Sequence, residues 1–267
     1  MLDFSKKVVT VEVNPPSTPD LNSFLSEIEG LKRFDGVNVT ELAMRREQDR
    51  WMSTVYTAIK MKEAGFNPIP HMTCRDHNRR DVIASSLALM SAGVDNVLAI
   101  TGDEGISKGV YELSVTDMLS LIKKVYEEQG HAVQLVAAAN LHNELDLEVK
   151  KARAKVKAGA SVLQTQPVFD VKRLRRFVEE VGGEVKVLAG LMPIKGREHA
   201  SRLERRLGIV VPDELKERFS GMSVEEVREE MFNQVEFLFK ELIEAADGVH
   251  LYPMGEWEVV ERVKGLL

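Results

Sequence analysis

Eight short runs rich in Val, Ile and Leu recur along this chain, separated by longer stretches whose apolar residues keep helical spacing. They cover residues 8–13, 36–40, 69–74, 96–102, 134–140, 161–166, 186–192 and 248–252. Most are too continuously apolar for half-exposed antiparallel strands, so they predict strands covered on both faces, as in a parallel sheet. Helices are predicted between them, over 50–64, 81–92, 115–128, 146–158 and 171–181. Gly65, Gly93, Gly130, Gly159 and Gly182 stand where these helices should stop. Residues 197–246 break the rhythm with about fifty residues of helical pattern, interrupted near 208–212 and at Gly221.

The fold class predicted is α/β, a (β/α)8 barrel with extra helices before the last strand. No Pro/Gly/Ser-rich linker or short repeat divides the chain, so residues 1–267 are expected to form one domain. The formal charge of −6 argues against a bulk electrostatic role on nucleic acid or anionic lipid. Cys74 is the one cysteine, which excludes an internal disulfide and any cysteine-based metal cluster within the chain. With neither a signal-peptide pattern nor an apolar stretch long enough to span a bilayer, a soluble, cytoplasmic protein is expected.

In a barrel of this kind, reactive groups collect at the C-terminal ends of the strands. Those ends carry Glu12, Asn14, Thr40, His71, Thr73, Thr101, Asp103, Asn140, His142, Gln164, Gln166, His250 and Tyr252, a polar rim suited to an extended polar ligand. Strand alternation puts Glu12 on the face of Thr10 and away from Val11 and Val13, a position that admits the barrel interior. There it is either a carboxylate neutralised by a basic neighbour or a desolvated proton donor. Asp103 ends the tight turn Thr101-Gly-Asp-Glu-Gly105 and reads equally as a turn or helix cap. His71 fits a hydrogen-bonded core histidine, and Cys74 a buried, inert thiol. Arg75, Arg79 and Arg80 suit either a phosphate or a solvated helix start capped by Asp76 or Asn78. His71, His142 and His250 lack the carboxylate pattern of a metal site, and none is predicted. The chain has no Gly-x-Gly-x-x-Gly or Walker loop.

Taken together, several blocks resemble the catalytic domain of the methylenetetrahydrofolate reductase family over nearly the whole chain. They are Val11-Glu-Val-Asn-Pro-Pro16, Pro70-His-Met-Thr-Cys74, Val97-Leu-Ala-Ile-Thr-Gly-Asp103, Lys155-Val-Lys-Ala-Gly-Ala160, Thr165-Gln-Pro-Val-Phe-Asp170, Gly190-Leu-Met-Pro193 and Gly248-Val-His-Leu-Tyr252. The resemblance implies a flavin, FAD in preference to FMN, at the barrel mouth, delivering hydride to the methylene carbon of a folate or related pterin. NAD(P)H is the implied electron donor, and one-carbon metabolism leading to methionine the implied setting. Glu12 matches the general acid that protonates the pterin-side leaving nitrogen. Asp103 matches a carboxylate that stabilises cationic character and binds the pterin, and Gln166 a substrate-binding amide. Thr40, His71, Thr101, Gly102, His142 and Lys155 match positions associated with flavin contact.

The chain also departs from the familiar bacterial pattern. Residues 41–46 replace a Gly-rich turn, Ala139 and Ala154 stand at an aromatic and an arginine position, and Arg197 falls near a nicotinamide-packing aromatic. The blocks 38–40 and 73–78 resemble short, anaerobe-type reductases, which implies either a companion subunit that supplies electrons or the same chemistry on an archaeal pterin. A binding subunit that is inactive without its redox partner is the rival reading, and a homo-oligomer is compatible with either.

Overall fold

The computed structural model describes every residue except Arg45 and Ser107. Eight parallel strands close into a barrel in simple sequential order: β1 (Val8–Val13), β2 (Gly36–Val39), β3 (Pro68–Thr73), β4 (Asn96–Ile100), β5 (Gln134–Ala139), β6 (Ala160–Pro167), β7 (Lys186–Leu191) and β8 (Gly248–Leu251). Around them run α1 (Leu21–Glu27), α2 (Thr54–Glu63), α3 (Arg79–Ser91), α4 (Val115–Glu128), α5 (Leu145–Lys157) and α6 (Val171–Val181). The predicted excursion is α7 (Arg197–Leu207), α8 (Asp213–Arg218) and α9 (Val224–Ala245), and α10 (Trp257–Lys264) follows β8.

Helix starts are set by local chemistry. Asn78 and Asp81 form a reciprocal capping box, so α3 begins two residues earlier than its apolar spacing predicts. The expected helix from residue 50 instead starts at Thr54, where the Ser53 side chain caps it. Residues 50–53 belong to the loop before it, whose chain is tied back by the Met52 N–H to the Pro16 carbonyl at 2.8 Å.

The barrel interior is layered. Val8, Ile69, Leu98, Val136, Val162 and Leu188 form an apolar floor, against which Leu2 packs. The Gln134 side chain holds the Leu2 backbone, accepting from its N–H at 2.7 Å. One step toward the C-terminal ends, each strand's alternation brings in the next inward residue, and here several are polar: Thr10, Asn38, His71, Gln164 and His250, all buried. Asn38 on β2 donates to Gln164 on β6 at 3.0 Å. Those strands are not neighbours in the barrel, so this bond crosses the lumen. Outside the strands, a large apolar cluster seats the helices. The excursion keeps its own small core of Met192, Ile194, Ala200, Leu203, Ile209, Val211 and Phe219, on the side of the mouth above β7.

Candidate active site

Glu12 points into the barrel, as its alternation with Thr10 requires, with its side chain 21% exposed at the mouth. No lysine or arginine among the described residues pairs with it. Its neighbour is His250: Glu12 Oε2 lies 4.0 Å from Nε2, while His250 Nδ1 is 2.8 Å from the Thr10 hydroxyl. A proton on Nε2 faces the carboxylate favourably, which assigns Thr10 as donor to Nδ1 and fixes the ring's tautomer. Burial pushes the His250 pKa down, partly offset by the nearby Glu12 carboxylate, so the ring is neutral at pH 7.

The same layer continues across the barrel. Asn38 Nδ2 lies 3.1 Å from His71 Nε2 and also reaches Gln164 Oε1, while the Tyr252 hydroxyl donates to the Thr165 carbonyl at 2.8 Å. Burial takes the His71 pKa down to about 4, against the pull of Glu12. Burial, and then Glu12, raise that of Tyr252. Every titratable group under Glu12 is therefore uncharged at neutral pH. Glu12 is a carboxylate standing on neutral donors, a setting for moving a proton rather than for a structural salt bridge.

Asp103 sits opposite in kind. It is exposed, on the loop from β4 to α4, and the N-cap of α4 is Ser114, so the helix-cap reading of Asp103 does not hold. Gly102 precedes it at φ +88, a conformation open to glycine, with β3 so close that a Cβ there would meet Thr73 at 2.8 Å. The basic cluster after β3 divides. Arg79 and Arg80 are exposed, whereas Arg75 is buried and binds Asp76 and the Asp103 carbonyl, the latter at 2.6 Å. Cys74 is buried and its pKa is raised to about 11 by burial, an inert thiol.

Thr40, His71, Thr101, Gly102, His142 and Lys155 form an arc running from β2 to the β5–α5 segment, on one side of the mouth. The Thr40 hydroxyl donates to Asn14 at 2.9 Å. His142 accepts the Val210 N–H on Nδ1 at 3.0 Å, which leaves its proton on Nε2, 2.7 Å from the Pro167 carbonyl. Burial lowers its pKa, consistent with that neutral tautomer. Lys155 reaches back from the last turn of α5 to the Ala138 carbonyl of β5 at 2.7 Å, and burial lowers its pKa. Hydroxyls, neutral imidazoles and one cation suit the polar edge and phosphates of a flavin nucleotide, so the arc fits the cofactor's chemistry. Ala139 packs in the cluster between strands and helices rather than in the lumen.

Gln166 lies at a bulge: Gln164 pairs with Leu188 and Pro167 with Gly190, so β6 carries one residue more than β7. It is half-buried, close to the Tyr252–Thr165 bond. Sequence reasoning missed Asn38, which was absorbed into an apolar run although its place in the alternation is inward. It also missed Glu41, whose carboxylate accepts the Thr73 N–H at 2.6 Å and lies 2.8 Å from His77 Nε2. Nothing in the spacing marks that pair. No cluster of metal-ligating side chains occurs among the described residues.

A closed (β/α)8 barrel with a buried polar layer beneath one mouth carboxylate defines an enzyme barrel whose site is at the C-terminal ends of the strands. The sequence then gives the family: residues 1–264 match the family model for methylenetetrahydrofolate reductase, and the chain belongs to that family. It is 29% identical over 227 residues to 5,10-methylenetetrahydrofolate reductase of Pectobacterium carotovorum, covering 80% of this chain and 73% of the relative. To the enzyme of that name from Escherichia coli it is 26% identical over 223 residues, 80% of this chain and 74% of the other. Among solved structures, a Clostridium thermocellum protein described as binding two copies of 5-methyl-5,6,7,8-tetrahydrofolic acid superposes with TM-score 0.63 at 15% identity, covering 98% of this chain and 93% of that one. A 2,3-dimethylmalate lyase gives TM-score 0.56 at 13% identity, over 97% and 81% of the two chains. At such identities these two speak for the barrel fold alone. No helix among the described residues is long and apolar enough to cross a membrane.

Proposed function

We propose that residues 1–267 act as one catalytic unit that reduces the methylene bridge of 5,10-methylenetetrahydrofolate, or of a related one-carbon pterin, to a methyl group, with FAD held at the barrel mouth. The observation that carries this reading is Glu12 over the neutral layer of His250, His71, Asn38 and Gln164, in a chain of this family. The flavin, when bound, supplies the hydride. Glu12, in its protonated form, gives its proton to the nitrogen that leaves as the methylene bridge opens, and is left as the carboxylate. His250 turns its Nε2–H toward Glu12 across 4.0 Å, and Thr10 holds the imidazole in the required tautomer. Asp103 places negative charge beside the cationic carbon–nitrogen unit of the substrate. Gln166 offers both an acceptor and a donor to the pterin edge. Thr40, His71, Thr101, Gly102, His142 and Lys155 line the flavin. Asp103 and Gln166, one on each side of Glu12, would hold the pterin against it.

The electron donor is NAD(P)H or a companion subunit, and one observation favours the companion. Arg197 opens α7 with a mostly exposed side chain paired to Glu217 at 3.3 Å, and supplies no aromatic plate for a nicotinamide. Stopped-flow absorbance separates the half-reactions. Reduced flavin on the purified protein should be reoxidised rapidly by methylenetetrahydrofolate, while bleaching by NADH or NADPH alone stays slow. A protein that purifies and reconstitutes without flavin, or whose reduced flavin ignores the folate, sinks the proposal. Fast bleaching by nicotinamide removes only the companion. A soluble cytoplasmic enzyme, self-associated or not, is the form in which we place this activity.

A further inference from the structure

We propose that Arg75 is a positioning residue for the reaction, holding the Asp103 loop in the shape that presents its carboxylate to the substrate. This assignment rests on the substrate-facing role of Asp103 given above.

Arg75 is tied to both ends of the segment that links β4 to α4. The Arg75 backbone N–H donates to the Thr101 carbonyl at 3.0 Å, and its carbonyl accepts the Val110 N–H at 2.6 Å. One residue earlier, the Cys74 carbonyl accepts the Tyr111 N–H at 3.1 Å. Between these two anchors the guanidinium passes under the loop and donates from Nη1 to the Asp103 carbonyl at 2.6 Å. Its other edge is taken by Asp76, through Nε at 2.9 Å and through Nη2, and Asp76 in turn accepts from the Thr73 hydroxyl at 3.0 Å. The guanidinium is thus aligned from β3 and turns Nη1 to the backbone carbonyl of the residue that carries the proposed substrate-facing carboxylate. A planar fork holds both partners in one fixed geometry; an ammonium on a flexible stem has no such fixed directions.

Two further features fit a loop held against its own preference. Tyr111 adopts φ +46, a conformation uncommon outside glycine, and persists there because the contacts around it determine the turn. Its ring closes over Gly109, where a Cβ would fall 2.2 Å from the ring and 3.0 Å from the Arg75 side chain. Arg75 itself is 3% exposed, so it has no room to meet a phosphate in solution and its charge is used inside the protein.

The test is a double-mutant cycle between Arg75→Lys and Asp103→Asn, read in single-turnover reoxidation of pre-reduced flavin by methylenetetrahydrofolate. Arg75→Lys should slow that step about 10- to 100-fold, the scale of an ångström-sized misplacement. It should also weaken folate binding and leave the flavin spectrum and affinity unchanged. In the Asp103→Asn background it should add less than about a twofold change, because the group it positions is gone. Amide exchange at Val110 and Tyr111 should accelerate in Arg75→Lys. Asp76→Asn, which leaves the arginine in place but unaligned, should act in the same direction with a smaller loss. Losses that multiply independently in the double mutant, or wild-type turnover in Arg75→Lys beside an impaired Asp103→Asn, overturn the assignment. Wild-type turnover in Asp103→Asn overturns the role of Asp103 and the clamp's catalytic part with it, a different signature.

Discussion

Two carboxylates at the mouth of this barrel, Glu12 and Asp103, stand in opposite mechanical situations. Glu12 stands on a strand, and its direction follows from the pleat: Val11 and Val13 face the helices, so Thr10 and Glu12 face the lumen. Its neighbour His250 sits on β8, the strand paired with β1, and is held there by Thr10 of β1. Asp103 stands on a loop, and strand periodicity says nothing about where it points. Its position depends on Arg75, Val110 and the Met44 carbonyl, which accepts the Ile106 N–H at 2.8 Å and ties this loop to the one after β2. A strand-borne group comes pre-organised with the sheet; a loop-borne group needs contacts built for it. The first should tolerate changes in the surrounding loops, and the second should be lost with any of its ties.

The sharpest way to break the comparison is at Glu12 itself. Glu12→Gln keeps the shape but has no proton to give, and should slow folate reduction about 10²- to 10⁴-fold with flavin binding retained. Single-turnover rates measure it, and unimpaired turnover would remove Glu12 from the chemistry. Asp103→Asn should cost less, about 10²-fold in turnover together with weaker folate affinity, since it deletes charge rather than the proton. Measured folate dissociation constants that do not move would return Asp103 to a turn residue.

The layer beneath Glu12 and the rim beside Asp103 should also differ in their response to pH. His71 has a folded pKa of about 4 against 6.5 in the unfolded chain, so unfolding takes up its proton as the pH falls. Stability is therefore fully present above pH 6.5 and drains away toward pH 4, by about 3 kcal/mol from this residue alone. His77 runs the other way: burial opposes its protonation, but the Glu41 hydrogen bond and charge, with Asp76 and Asp81, outweigh it and raise its pKa. Its contribution is complete below pH 6.5 and is lost as pH climbs through the raised folded value. Urea unfolding at a series of pH values should show a flatter acid limb in His71→Gln and a flatter neutral limb in Glu41→Gln. The reverse pattern would mean that the interior layer is charged.

The smallest effect is expected at Arg197. Its ion pair with Glu217 is mostly exposed, worth at most about 1 kcal/mol. Arg197→Ala should leave folate-driven flavin reoxidation within about twofold of wild type, because an exposed pair contributes little. A large loss there would place α7 over the substrate and narrow the difference between the two sides of the mouth.

The barrel was legible because burial on both faces leaves a period-free apolar signature, and eight such runs with helical spacers admit few other topologies. The excursion at 197–246 was legible for the same reason, its breaks at Gly208 and Gly221 coinciding with the ends of α7 and α8. Glu12 could be placed from its neighbours alone, since alternation is a local property. Local pattern failed at residues 50–53, where Trp51 and Met52 read as helix although the helix starts only after the Ser53 cap, at Thr54.

What no local pattern could supply was partnership across the barrel. Asn38 meets Gln164 at a separation of 126 residues, and His250 meets Thr10 at 240. Only closure of the sheet brings such strands face to face. For Arg75 the sequence offered a phosphate or a solvated helix start, and neither is what it meets. The folded chain decided it by burying the guanidinium between Asp76 and the Asp103 carbonyl, because a buried charge must find its partners within the protein. Sequence thus determined which side chains stand at the strand ends; tertiary structure decided which of them touch, because the energies that select contacts act between residues the chain order keeps far apart.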